Sequence, residues 1–192
     1  MSVSSSESHY TLRHAVPGDA EAIAALHADS WRRHYRGAYT DEYLEGDLEA
    51  DRQQVWTQRL ATPGRSLTVV LHDESTLVGF AHTVLDNDPT WGSLLENLHV
   101  AHNRQRQGLG RRLLTAAAVD VDEHATHHRL HLWVLEQNVR AQQFYRALGG
   151  EPVEESLASP PGGVAERLHG HPRRYRYAWL DARTLTTPTP GE

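Results

Sequence analysis

The stretch Ser93–Leu114, S-L-L-E-N-L-H-V-A-H-N-R-Q-R-Q-G-L-G-R-R-L-L, decides how the rest of the chain is read. It opens as an apolar, strand-like run through Leu94, Leu95, Leu98 and Val100, crosses an arginine-rich turn, and enters a helical pattern directly after Gly108-Leu109-Gly110. A strand, a glycine turn and a helix start form an anion cradle. The first helical N–H groups lack intrahelical partners and lie at the positive end of the helix dipole, where phosphates bind. Gly108 and Gly110 present no Cβ where a pyrophosphate would touch backbone, and Arg104, Arg106, Arg111 and Arg112 surround the spot with positive charge.

Exclusion narrows the ligand. A P-loop requires a lysine, and all 19 basic residues of this chain are arginine. The dinucleotide fingerprint requires a third glycine three positions after Gly110, where Leu113 stands.

Working outward, 192 residues suffice for one domain with a full core. The absence of cysteine excludes disulfides, thiolate metal sites and a cysteine nucleophile. No 18-residue apolar run exists, and the start M-S-V-S-S-S-E-S-H lacks the basic and apolar regions of a signal peptide, which predicts a cytoplasmic protein with no membrane partner. A net charge of −6 argues against nucleic acid as a partner. Residues 1–9 read as a disordered leader, 10–182 as the domain and 183–192 as a flexible tail.

Tyr10–Ala15 reads as a first strand, with Asp19 placed to cap a helix reaching about Arg33. A second helical region starts at Thr40-Asp41 and runs past Leu60. S-L-T-V-V-L-H and L-V-G-F-A-H-T-V-L around D-E-S-T form a hairpin, and Trp91–Ala101 supplies the next strand. A helix follows Gly110, then a buried strand L-H-L-W-V from Leu130, then a helix from Asn138 to Gly149-Gly150. Two last strands lie near Pro152–Ser156 and Arg173–Leu180. R-R-Y-R-Y reads as alternating exposed arginines, and the long loop between the strands is a candidate substrate-lining element. His124, His127, His128 and His131 lack a carboxylate or cysteine to complete a set, so no metal is expected.

Two spaced motifs carry a resemblance. Gln105-x-x-Gly108-x-Gly110 after a strand ending L-H-V resembles motif A of the GCN5-related N-acetyltransferases, and Asn138-x-x-Ala141-x-x-Phe144-Tyr145-x-x-Leu148-Gly149 resembles their motif B in the same order and at the right distance. The resemblance covers roughly Thr11 to Leu180. It implies a mixed α/β fold with a mostly antiparallel sheet of six to seven strands, two splayed parallel strands and about four helices. Acetyl-CoA lies in the splay of such proteins, which are frequently homodimers.

Carried onto this chain, the resemblance implies cofactor contacts at Leu98, His99, Val100, Gln105, Arg106, Gln107, Gly108, Leu109, Gly110, Arg111, Asn138 and Tyr145. Acetyl transfer from acetyl-CoA to a primary amine needs a base for the ammonium and an acid for the departing thiolate. Glu96 is the expected base, with His99 and a water chain as alternatives, and Tyr145 the expected acid. Strand alternation sets Glu96 and His99 on opposite faces unless a bulge intervenes. Trp31 and Tyr35 are candidates for contact with the acceptor, expected to be a small-molecule amine. A protein N-terminal or lysine acetyltransferase, and a non-catalytic acyl-CoA-binding regulatory module, are the rival readings.

Overall fold

The computed structural model describes residues 10–187; the expected leader, 1–9, and the end of the expected tail, 188–192, lie outside them. Seven strands form one sheet in the order β1-β2-β3-β4-β5-β7-β6: β1 Tyr10–His14, β2 Ser66–Asp73, β3 Thr76–Asp88, β4 Gly92–Val100, β5 Leu130–Leu135, β6 Glu151–Leu157 and β7 Arg173–Trp179. All neighbours are antiparallel except β4 and β5. Five α-helices accompany them: α1 Ala20–His34, α2 Asp41–Glu45, α3 Leu48–Ala61, α4 Leu109–His124 and α5 Val139–Ala147. The architecture is the mixed α/β one expected. The fifth helix arises because the helical region after Thr40 breaks at Gly46-Asp47 into α2 and α3.

Residue alternation along the strands builds a core on each side of the sheet. Val69 and Leu71 of β2 join Leu113, Leu114, Ala117 and Val121 of α4, while Val70, between them, meets Ile23 of α1 and Trp56 of α3 on the opposite side. A third cluster, Trp31, Tyr39, Leu44 and Leu48 with Leu135, fills the end of the sheet where β5 finishes.

Three local expectations change. Asp19 does not cap α1; its carboxylate instead accepts from Val16 N at 2.8 Å and from Arg13 at 2.7 and 2.8 Å, closing a turn ahead of the helix. The tail expected from residue 183 begins as a 3-10 turn, Ala182–Leu185, whose buried Leu185 packs in the α4 core. The arginines of R-R-Y-R-Y are not uniformly exposed: Arg176 is buried and Arg174 half-buried, both stacked on Trp133 of the neighbouring β5. Among the described residues no helix is long and apolar enough to cross a membrane.

The feature that positions everything else is the parallel contact of β4 with β5. It consists of two rungs, Ser93↔Leu130 and Leu94↔His131. Immediately beyond, the β3–β4 register shifts from Thr83↔Leu95 to His82↔Asn97, so Glu96 is the extra residue of a bulge. Bulges bend and twist the strand that carries them, and β4 leaves β5 here. The junction is held at its base by Gly92, which has φ +80° and sits so close to Arg129 that an added Cβ would lie 2.5 Å from its carbonyl oxygen. Gly92→Ala combines left-handed strain of roughly 1 kcal/mol with that clash and should cost about 2 kcal/mol or more in urea unfolding. An unchanged midpoint would show that the junction does not depend on this close approach.

Candidate active site

Past Leu94 the β5-facing edge of β4 has no strand partner. Ala101 N–H bonds to Val78 O at 2.8 Å on β3. Strand alternation therefore turns the N–H and C=O of Leu98 and Val100 the other way, into the opening. An edge of this kind can be satisfied by an extended ligand that pairs with it as a strand would.

The opening is a cleft of about 540 Å³ between β4, β5, α4 and α5. At its mouth Gly108, with φ +75°, is the N-cap of α4, and no side chain caps that helix. The first-turn amides and the dipole's positive end are thus turned to the cleft. The two glycines differ in role. A Cβ on Gly108 would meet nothing within 4 Å, whereas one on Gly110 would come within 3.3 Å of the Phe144 ring, so Gly110 also lets α4 approach α5. Arg106 takes a left-handed turn at φ 64° to bring the loop round.

Of the residues expected at the cofactor, Leu98, His99, Val100, Gln105, Arg106, Gly108, Leu109, Gly110, Arg111, Asn138 and Tyr145 line this one cleft, together with Tyr35 and Glu96. The Gln107 side chain points elsewhere, accepting from the Tyr10 hydroxyl at 2.5 Å and tying the loop to β1. Asn138 caps α5, its Oδ1 accepting from Ala141 N at 3.1 Å; the side-chain NH2 is what it has left to offer a ligand. Arg104 is drawn to Asp73 at 2.7 Å. Trp31 lies outside the cleft.

Trp31 belongs instead to a second cleft of about 300 Å³ on the α1/α3 side. Its walls are the aromatic rings of Trp31, Tyr35, Tyr39 and Trp133, with His27, Arg52, Arg59 and Arg174, and part of the loop between β6 and β7. That loop is pinned: Thr40 N donates to Arg167 O at 3.0 Å, His169 N donates to Ala38 O at 2.9 Å, and Arg167 reaches Asp51 at 3.2 Å. Both clefts share Tyr35, Leu95, Glu96, Asn97, Trp133 and Leu135, and so meet at the bulge.

The bulge also reverses one expectation. Because two residues oppose one there, Glu96 falls on the same face as Asn97 and His99: Glu96 is ion-paired with Arg59 of α3, Asn97 Oδ1 accepts from Arg59 at 3.2 Å, and His99 is buried against His27 and Phe80. Glu96 keeps a side-chain exposure of 36%. His99 Nδ1 lies 2.7 Å from Ser30 Oγ, and burial pushes its pKa down to about 3, which leaves it a neutral and weakly basic ring. Tyr145 is buried between Tyr177 and Trp179, and burial raises its pKa above the usual phenol value, so its hydroxyl remains protonated. No group of three or more histidine or acidic residues that could hold a metal occurs among the described residues.

Arg174, Arg52, Arg59 and His27 were missed as pocket residues in the sequence. The spacing of Arg174 and Arg176 places them on one face of a strand, but the rings that cover that face come from β5.

The family model described as the acetyltransferase (GNAT) family matches residues 28–149. YuaI, an uncharacterized N-acetyltransferase of Bacillus subtilis, is 29% identical over 147 residues, 76% of this chain and 82% of that protein. Among solved structures, the PaiA N-acetyltransferase of Thermoplasma acidophilum in complex with coenzyme A has a TM-score of 0.67, covering 88% of this chain and 97% of its own at 18% identity. YncA of Salmonella typhimurium, with its cofactor acetyl-CoA, has a TM-score of 0.63 over 90% and 94%, also at 18% identity. Likeness at this identity is one of fold.

Behind the second cleft, His27, His82 and His99 form a buried cluster with Trp56 and Phe80. Burial lowers all three, His82 and His99 to about 3. The unfolded chain, titrating near 6.5, binds these protons more tightly than the folded one, so this stability is complete above about pH 6.5 and is lost as pH falls toward 3. Urea unfolding should lose about 2 kcal/mol per histidine by pH 5, and His82→Gln should remove about one proton from the slope. Stability flat between pH 7 and pH 5 would contradict the buried, neutral state.

Proposed function

The chain belongs to the acetyltransferase (GNAT) family, and from that premise we propose that it transfers acetyl from acetyl-CoA to the primary amine of a small molecule, by direct attack in a ternary complex. The observation that carries this reading is the meeting of the two clefts at Glu96, one fitted to an extended ligand ending in phosphates, the other aromatic and roofed. The pyrophosphate takes the α4 amides at Gly108–Arg111, and the pantetheine arm pairs with the open edge at Leu98 and Val100. The thioester then arrives at the bulge.

The amine arrives as an ammonium. Removing its proton at pH 7 costs about 4.6 kcal/mol for a pKa near 10.4. Glu96 takes that proton through water, because its carboxylate is held by Arg59 rather than aimed freely into the gap. His99, neutral and bonded to Ser30, positions rather than deprotonates. The nitrogen lone pair attacks the thioester carbon, the carbonyl oxygen gathers charge against the backbone N–H of Val100, and the C–S bond breaks as that charge returns and the nitrogen sheds its second proton to water. Tyr145 donates a hydrogen bond to the departing sulfur. With its pKa raised by burial, complete proton transfer to a thiolate near 8.5 is uphill, so the bond itself is the contribution. A chain without cysteine has no thiol to carry the acetyl, which agrees with direct transfer.

The small acceptor is favoured by size and closure. About 300 Å³ is at the lower end of small-molecule sites, and the pinned β6–β7 loop borders the cleft, which supports a small acceptor. Thiol release from acetyl-CoA on an amine panel tests the reaction. Glu96→Gln should lower kcat about 100-fold or more at pH 7 and recover above pH 10, where the amine is already neutral. Tyr145→Phe should lower kcat about ten-fold with little change in KM for acetyl-CoA. Coenzyme binding without thiol release on any amine would mark an idle module and defeat the catalytic reading.

A further inference from the structure

The arginines around the second cleft differ in how their charge is met. Arg52 pairs with Asp51 at 2.6 Å, Arg59 with Glu96, and Arg176, just behind the wall, with Asp88 at 2.9 Å and with Glu154. Arg174 lines the cleft, and among the described residues its side chain forms no ion pair with a carboxylate and no hydrogen bond at Nε. Its guanidinium carbon lies 4.2 Å from the Trp133 ring centroid, which holds the fork against that ring, and its Nε is enclosed without a partner. The Trp31 Nε1 of the same wall is a second enclosed donor without a partner.

A half-buried, unpaired guanidinium is costly unless something anionic meets it, and a stacked fork matches a carboxylate in bidentate fashion. The neighbouring charges sharpen the point. Burial and Arg176 weigh against the protonated state of Arg174 more than Tyr39 and Glu154 favour it, a balance that an anion beside the guanidinium would relieve. Glu96, to which the reacting amine must come, lines the same cleft.

Resting on the acetyl-transfer reading above, we propose that the acceptor is a small amino acid or amino-acid-like zwitterion: its carboxylate pairs with Arg174, its hydrocarbon body lies among Trp31, Tyr35 and Tyr39, and its amine faces Glu96. Arg174 is a specificity-determining residue that binds the end of the acceptor remote from the reaction. Simple amines and polyamines, which bring only positive charge, fit this wall less well.

Matched pairs of acceptors test it, with thiol release read as kcat/KM: L-phenylalanine against 2-phenylethylamine, and 4-aminobutyrate against propylamine. The better acid should exceed its decarboxylated partner at least ten-fold. Arg174→Gln should collapse that ratio toward one, and Arg174→Lys, which keeps the charge and loses the fork, should leave an intermediate value. A carboxylate without an amine, 3-phenylpropionate, should compete with the acceptor and lose affinity in Arg174→Gln. The proposal falls if plain amines match or exceed the acids in the unaltered enzyme, a comparison that needs no variant and is indifferent to whether Arg174→Gln folds. It also falls if Arg174→Gln lowers both members of a pair equally. These outcomes occur with thiol release intact. If every amine fails while calorimetry still shows coenzyme A bound, the acetyl-transfer reading itself falls, and this one with it.

Discussion

Two backbone rungs between β4 and β5 are the constraint on which the rest depends. Parallel strands that pair fully bury their edges and leave no space for a ligand. Here pairing stops at Leu94, the bulge at Glu96 turns β4 away, and an edge of N–H and C=O groups faces an opening. An unpaired strand edge is satisfied by water or by a ligand that pairs with it, so the same break makes the cleft and leaves an edge suited to an extended, amide-bearing occupant. The helix N-terminus of α4 stands at one end of that edge and the bulge at the other, which fixes the direction in which the occupant runs.

The bulge does a second job. By adding one residue it changes the phase of β4, bringing the Glu96 carboxylate onto the face that carries Asn97 and His99. An acidic side chain thereby reaches the wall shared by the two clefts, while the apolar Leu98 continues to face α4 and the Gly110 turn. In unbroken alternation with Leu98, the carboxylate would fall on the α4 side, where an ionised group without a partner is expensive.

Charge is handled by one kind of cation throughout, and this shapes the second cleft. Arginine stacks on rings and forks to carboxylates, so Arg52 lies over Trp31, Arg59 over Trp56, and Arg174 and Arg176 over Trp133, each held in a fixed plane. Once Asp51, Glu96, Asp88 and Glu154 have taken their partners, one stacked guanidinium in the wall is left over. The neutral histidine cluster behind it adds no compensating charge.

The sequence by itself determined most of the elements and the two motifs that line the larger cleft, because those depend on local chemistry. A strand running into Gly108-Leu109-Gly110, and the Asn138-to-Tyr145 spacing with Asn138 as a helix cap, are written in consecutive residues. Only the tertiary structure decided which face Glu96 occupies, since a bulge is a mismatch of register between two strands and neither strand announces it alone. It decided equally that Gln107 turns to Tyr10 and that Arg174 is buried against Trp133. Which arginine is left without a carboxylate depends on what every other arginine has already met, a sum over residues distant in the chain that no local pattern contains.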